Sequence, residues 1–351
     1  MTESSLPKYY SFTSKNRTLE EAEQIYQSRI SDARTVFSKF SDSFQERYCP
    51  FCGSDNFHQI DLFDNRYGVA KCGKCASLFV NPCPSSEALS YYYNNCECNF
   101  LLGQLLRRRH KQNNVTISSR CQKILSLLDE YATTRHKNTI EVLEVGCSSG
   151  VFLSELREAI DQRMPHLNVT LTGIDIDQKA IEKNVDSRNA ISAISAEDYM
   201  IKSNKKFDMV LHFELIEHLA DPYSFMKALN NLTTDSGINY FTTPNAEGFD
   251  NVAVSYNSKR LLAHGIFPPM HLNAFTTLNI TLFALRANFN VVSVATPGVF
   301  DVDMVKLCLD CIQEDSTFSH ISLFSDTQLA VVQSWLQNTK SSSHMEVTLK
   351  K

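Results

Sequence analysis

The chain has 351 residues, 43% hydrophobic and 21% charged, the make-up of an ordinary soluble globular protein long enough for about two domains. Lys plus Arg at 34 against Asp plus Glu at 39 gives a formal charge of −5, too balanced for a dedicated polyanion binder, which argues against a nucleic-acid partner. Apolar runs such as 208–216 are broken by Asp, His or Glu well short of bilayer-spanning length, so no membrane insertion is expected.

Met1–Tyr10 is polar and offers no signal-peptide stretch, so a cytoplasmic location is expected. Eleven cysteines, an odd number, then argue for thiols and metal rather than a disulfide framework. Four segments are expected: a helical arm over 1–45, a zinc-ribbon domain over 46–98, a helical connector over 99–138 and an α/β domain over 139–351. In the arm, Thr18 with Glu21 reads as a capping box. Leu19, Ala22, Ile25, Tyr26 and Ile30 follow at helical spacing, predicting a helix to about Phe40 that packs on its own protein rather than on a partner.

Cys49-Pro-Phe-Cys52 and Cys72-Gly-Lys-Cys75 are two C-x-x-C knuckles separated by 19 residues, a spacing inside the zinc-ribbon window. Four thiolates close a tetrahedral shell and leave no open position, so one structural zinc is expected. Gly53 and Gly73 suit the tight turns of such knuckles. Cys96-Glu-Cys98 and Cys308-Leu-Asp-Cys311 have no partner knuckle and read as packed thiols. Leu102, Leu105, Leu106, Ile124, Leu125, Leu127 and Leu128 carry helical periodicity across the connector. The basic run Arg107–Lys111 reads as a solvated helix face, with a phosphate contact as the sharper alternative.

From Thr139 to Pro297 strand-like and helix-like segments alternate, which predicts a doubly wound parallel sheet. Strands are expected at 140–146, 168–175, 190–194, 207–213, 237–242 and 289–295, and helices at 150–163, 178–186, 221–232 and 276–287. The tail 344–349 alternates and is expected to add a last edge strand, which makes 298–343 an insertion.

The segment Ile140–Gly150 runs a buried strand into a small-residue turn and a helix, at the edge where open α/β sheets bind ligands. Three mechanisms compete for that turn. As G-x-S-x-G it fits a hydrolase elbow with Ser148 as nucleophile. As a dinucleotide site it lacks the third glycine. As a loop around S-adenosylmethionine (SAM), Glu144 and residues 146–150 would hold the amino-acid end of that cofactor. The residues beyond the turn discriminate. Asp175 ends a second strand about 25 residues on, placed for two ribose hydroxyls. Glu197 and Asp198 follow the third strand, where an acid can accept from an adenine amino group.

With Glu144–Gly150, Gly173-Ile-Asp175, Ala196-Glu-Asp198, Phe207-Asp-Met-Val and Glu217-His218-Leu in that order, residues 139–297 resemble a class I SAM-dependent methyltransferase. The resemblance implies a Rossmann-like, doubly wound seven-stranded sheet. It also implies SAM as cofactor, bound by Glu144, Gly146, Ser148, Gly150, Asp175, Ile176, Glu197, Asp198 and Phe213. Cys49–Pro84, Tyr91-Tyr-Tyr93, Pro268–Leu272 and Thr296–Asp301 are similar to a bacterial subgroup that carries an N-terminal zinc ribbon. That subgroup mostly modifies surface sugars and other small metabolites, which implies a small-molecule or saccharide acceptor.

The fourth strand leads into Phe213-Glu214-Leu-Ile-Glu217-His218. On a helical turn Glu214, Glu217 and His218 share one face, at i, i+3 and i+4. His218 suits a general base at neutral pH, with Glu217 beside it. Alternatively Glu214, Glu217, His218 and a distant His271 bind a second divalent ion, an arrangement similar to metal-dependent O-methyltransferases of quinone precursors and RNA 3′ ends. His212 reads as a packing residue, and Asn245 either as a substrate contact or as a turn former. The expected activity is methyl transfer from SAM to a hydroxyl of a sugar or related small molecule. A carbon or nitrogen acceptor, a nucleic-acid-binding ribbon protein with an inactive α/β domain, and a serine hydrolase are the competing readings.

Overall fold

The computed structural model describes residues 19–99, 101, 118–184, 186–254, 265–312 and 318–351. Helix α1 (Leu19–Phe40) is followed by β1 (Phe57–Phe63), β2 (Tyr67–Cys72), β3 (Leu78–Val80) and α2 (Ser86–Asn95). Helix α3 (Ser119–Arg135) starts where the Ser118 hydroxyl accepts the Cys121 N–H, and it ends at His136, which is left-handed. Leu102, Leu105, Leu106 and the basic run 107–111 lie outside the described residues.

The α/β alternation then follows as β4 (Thr139–Val145), α4 (Val151–Arg163), β5 (Asn168–Asp175), α5 (Gln178–Ile181), β6 (Ala190–Ala193), α6 (Ala196–Lys202) and β7 (Phe207–Phe213). It continues through α7 (Pro222–Leu232), β8 (Thr233–Pro244), α8 (Phe249–Val254), β9 (Asn273–Ala274), α9 (Thr277–Arg286) and β10 (Asn290–Ala295). The insertion folds as α10 (Asp301–Ile312), a 3-10 turn (Ser319–Leu323) and α11 (Asp326–Asn338), and β11 (His344–Lys350) closes the chain. Cys308 and Cys311 fall on α10, with side chains outside the described residues.

Seven strands form one sheet in the order β10-β11-β8-β7-β4-β5-β6. Strands β6, β5, β4, β7 and β8 run parallel, so their carboxyl ends share one edge. Strand β7 is buried along almost its whole length, as a central parallel strand with helices on both faces must be. Alternate residues serve opposite layers: Val210 with Leu143 and Val145 on one face, Met209 and Leu211 with Ile140 and Val142 on the other. Among the described residues no helix is long and apolar enough to cross a membrane.

Two expectations are corrected. Strand β11 is not the edge: it lies between β10 and β8, antiparallel to both, and leaves β10 outermost. A fully buried Met345-Val347-Leu349 row needs a neighbour on each side, which an edge would not supply. The helix expected over 178–186 is the single turn α5, which gives way to a turn at Glu182 and Lys183.

The zinc-ribbon segment completes its own sheet, β1-β2-β3-β9, with a strand from the α/β part. Phe79 pairs with Asn273, and Leu78 with Ala274. Phe51, inside the first knuckle, stacks edge-on against Phe275 at 5.0 Å and Phe283 at 6.1 Å. Its burial in the larger core cluster contributes about 2–3 kcal/mol and fastens the ribbon to α9.

Candidate active site and metal centre

The first turn of the site is built by backbone geometry. Gly146 and Gly150 adopt φ of +78° and +74°, and Ser148 between them also lies in the left-handed region. The Gly146 and Cys147 N–H groups both donate to the Ile174 carbonyl, which locks the turn to the end of β5. Ser148 donates its N–H to Asp175 Oδ2 at 2.8 Å, and Asp177 donates to Oδ1 at 2.8 Å. The turn and the second acid are thus one unit. Ser148 serves it through its backbone, which does not favour the nucleophile-elbow reading.

Glu144 is buried on β4, and burial pushes its carboxyl up to about 8. Its Oε2 has no hydrogen-bond partner, an unsatisfied buried polar atom near the carboxyl end of β4. The Arg120 guanidinium stands 4.2 Å from the Phe213 ring centre, and its charge opposes that rise. Arg120 escaped the sequence reading because nothing in the first turn of α3 signals that it approaches β7 in space. Phe213 also packs on Phe152 at 5.0 Å. Ile176 is exposed just past Asp175, while Glu197 and Asp198 open α6, capped by the Ser195 hydroxyl. Asp208, by contrast, begins β7 at the far edge, where Lys137, Tyr131 and the Glu141 N–H satisfy its carboxylate.

The second half of the site follows β7. Glu214 takes a left-handed φ of 48°, and the chain re-enters a 3-10 turn only at Ile216–His218. The helical face expected for Glu214, Glu217 and His218 is therefore not formed. Glu214 accepts the Thr242 hydroxyl at 2.7 Å and lies 3.5 Å from His344, while its charge still acts on Glu217 and His218. Glu217, His218 and His271 come together instead, their donor atoms all within 4.8 Å of one another. Of the four residues expected to share an ion, Glu214 is not among these three donors.

His218 is oriented by its neighbours. Its Nδ1 lies 2.9 Å from the Met270 carbonyl, which can only accept and so favours a proton on Nδ1, and the Glu214 carbonyl is a second acceptor beside the ring. The Tyr93 hydroxyl stands 3.2 Å from the same Nδ1, a contact spanning 125 residues that no sequence periodicity encodes. Burial lowers the His218 pKa below its usual value, and burial raises that of Glu217 well above the carboxylate range. Glu217 Oε2 accepts the Thr243 hydroxyl at 2.9 Å, while Oε1, 3.7 Å from His218 Nε2, has no hydrogen bond.

His212 is a packing residue, as expected, stacked on Phe241 at 4.3 Å with both ring nitrogens unpartnered. Asn245 forms a turn: its amide donates to the Ser342 carbonyl at 2.9 Å, and its Oδ1 accepts the Glu247 N–H.

In the ribbon, Cys49 Sγ lies 3.6 Å from Cys75 Sγ, and Cys52 Sγ 3.6 Å from Cys72 Sγ. These distances far exceed a disulfide and approach the ~3.8 Å edge of a tetrahedral thiolate shell with Zn–S near 2.3 Å. All four sulfurs lie within 4.8 Å of one another, so the donor set fits zinc, with each thiolate supplying one bond. Gly53 makes the left-handed turn of the first knuckle. In the second knuckle Ala76, not Gly73, adopts positive φ. Cys96 and Cys98 are buried thiols beside Asp32, which accepts the Glu97 and Cys98 N–H groups.

A family model described as a methyltransferase domain matches residues 115–294. Among curated proteins the chain is similar to the ubiquinone biosynthesis O-methyltransferases of Thiobacillus denitrificans and Pseudomonas syringae. It is 34% identical to the first over 30% of this chain and 44% of that protein, and 32% identical to the second over 34% and 49%. The chain thus spans about half the length of the curated relatives it matches. Among solved structures, the plantazolicin methyltransferase BamL with S-adenosylhomocysteine bound aligns with TM-score 0.46 at 15% identity, over 75% of this chain and 94% of that one. A SAM-dependent methyltransferase of Archaeoglobus fulgidus aligns with TM-score 0.41 at 14% identity, over 66% and 94%. With the family model covering 115–294 of 351 residues, the chain belongs to the methyltransferase-domain family.

Proposed function

We propose that the protein transfers a methyl group from S-adenosylmethionine to a hydroxyl of a small acceptor, a sugar or a related metabolite. The observation that carries this is the position of the cluster of buried Glu217, half-buried His218 and buried His271. It stands at the carboxyl end of β7, on the same sheet edge as Glu144, the 146–150 turn and Asp175. The oxygen acceptor also agrees with the names of the curated relatives.

The cofactor supplies a methyl group already activated on a sulfonium, so the protein must align the acceptor and remove its proton. On this reading Glu144 and Arg120 face the amino and carboxylate groups of the amino-acid end. Asp175 takes the ribose hydroxyls, and Glu197 or Asp198 the adenine amino group. His218 accepts the acceptor's proton at Nε2, with its Nδ1 turned to the Met270 carbonyl. Tyr93 packs against the same ring, its hydroxyl 3.2 Å from Nδ1, and so helps hold its orientation.

A second reading rests on the donor set: Glu217, His218 and His271 would hold a divalent ion that acidifies the acceptor hydroxyl. The test is transfer of a labelled methyl group from SAM to hydroxylated small molecules, before and after a mild chelator, with the ribbon zinc checked as retained. Full activity after chelation supports the base; activity restored by Mg²⁺, Mn²⁺ or Zn²⁺ supports the ion. His218→Ala should cost about 10²–10⁴ in turnover with SAM affinity nearly intact. Undiminished turnover at saturating acceptor sinks both mechanisms. Failure of the wild type to bind SAM in calorimetry removes the function itself.

A further inference from the structure

A 3-10 turn at a strand end leaves backbone carbonyls without partners inside the turn, and each must be satisfied from outside. Around Glu217 and His218 the partners come from two places. The Leu272 N–H donates to the Glu217 carbonyl at 2.8 Å. The buried Asn273 side-chain amide reaches the Leu219 carbonyl at 2.8 Å and stands 3.3 Å from that of Glu217 and 3.4 Å from that of Ile216. One amide thus brackets the turn from both sides of His218.

Just beyond it, the Ala220 carbonyl accepts from Arg47 at 2.6 Å. The same guanidinium donates to the Leu272 carbonyl at 3.0 Å and to the Val80 carbonyl at 3.2 Å, while the Arg47 N–H donates to Asn81 Oδ1 at 2.9 Å. Among the described residues no carboxylate lies within ion-pair distance of Arg47; its guanidinium hydrogen bonds go to main-chain carbonyls. A planar, always-charged donor fork suits that task better than a lysine. Arg47 precedes the first zinc-ligand candidate, Cys49, by two residues, and Asn273 is the residue of β9 that pairs with Phe79 of β3.

We propose that Arg47 and Asn273 are positioning residues through which the ribbon sheet holds the Glu217–His218 turn in its working geometry. The ribbon is then part of the site's scaffold and not an appended module. This inference rests on the methyl-transfer reading only for the meaning of the turn; the coupling itself is a property of the fold.

Amide hydrogen exchange of the full, zinc-loaded chain tests it, read on peptides covering 214–220 and, as reference, 139–175. Arg47→Ala and the near-isosteric Asn273→Asp, which sets a carboxylate against carbonyl oxygens, should each speed exchange over 214–220 by about tenfold or more. Exchange over 139–175 should stay at the wild-type rate, and SAM affinity by calorimetry within about twofold. Arg47→Lys, which keeps one charged donor, should restore part of the protection. Arg286→Ala is the control. Arg286 also grips the ribbon, at the Pro50 and Phe51 carbonyls, but does not touch the turn, so its loss should leave 214–220 unchanged.

Unchanged exchange over 214–220 in both Arg47→Ala and Asn273→Asp overturns the proposal. So does equal acceleration in Arg286→Ala, which would mean that any loosening of the ribbon suffices. A wild type that binds no SAM while showing the expected exchange pattern would overturn the function and leave the coupling standing.

Discussion

Asp175 holds the Ser148 N–H through Oδ2 and the Asp177 N–H through Oδ1, both at 2.8 Å, so the acid at the end of β5 fixes the turn at the end of β4. An acid that only met a ribose would leave the turn intact when removed; this one also holds the turn, so on the proposed reading its loss should affect both. Asp175→Ala should therefore weaken SAM binding by about 1.5–3 kcal/mol, the range for hydrogen bonds to a charged group. Asp175→Asn, which keeps one acceptor for the loop, should lose less. Titration calorimetry on both variants decides the matter, and an unchanged affinity in the alanine variant would remove Asp175 from the cofactor site.

With Glu144 at the amino-acid end of the cofactor, as proposed, binding should depend on pH. With its carboxyl pushed up to about 8 by burial, Glu144 is mainly protonated at pH 7 in the free protein. An incoming ammonium favours the carboxylate, so binding should release a proton. SAM affinity should then rise between pH 6 and 8, by at most about tenfold per pH unit. Calorimetry in two buffers of different ionisation enthalpy counts the proton. Glu144→Gln should bind more weakly and release none; a variant that releases the same proton would assign it elsewhere.

The parallel core of this fold was legible because its strands are short apolar runs bounded by turn residues, and because Asp175 and the Glu197–Asp198 pair stand at their ends in order. Those are local features. What escaped the sequence depends on contacts between distant segments. Nothing in 344–349 reveals that β11 lies between β10 and β8, since an alternating strand fits an edge or an interior slot equally. The i, i+3, i+4 pattern at Glu214–His218 suggested a helix, but the left-handed Glu214 breaks that helix before it starts. Tyr93, Arg120 and Arg47 reach the site through tertiary packing alone, and the two-residue strand β9 is too short to carry any periodicity.

The ribbon gives a metal prediction. Purified protein should contain about one zinc per chain, bound by Cys49, Cys52, Cys72 and Cys75. Cys49→Ser or Cys72→Ser should lower folding yield more than it alters chemistry in the fraction that folds, because a closed four-thiolate shell has no vacancy for substrate. Elemental analysis of folded, reduced protein checks the first statement. A sample with no zinc and an unshifted melting temperature on adding zinc would remove the ribbon's metal.

His212 sets a limit on acid stability. Its ring lies fully buried between Phe241 and Phe225, neither nitrogen has a partner, and burial alone depresses its pKa to about 3. In the unfolded chain the ring titrates at its usual ~6.5. The folded pKa is the lower one, so the unfolded state takes up the proton first as pH falls. The stability associated with a neutral His212 is thus fully present above about pH 6.5 and is lost on acidification toward pH 3, at up to about 1.4 kcal/mol per pH unit. His212→Leu removes the titrating group at similar volume and buries no unsatisfied nitrogen. Urea midpoints of wild type and variant should be close at pH 7.5 and diverge in favour of the variant by pH 5. Parallel pH dependences in the two proteins would show that His212 stays neutral in both states, or that water reaches its ring.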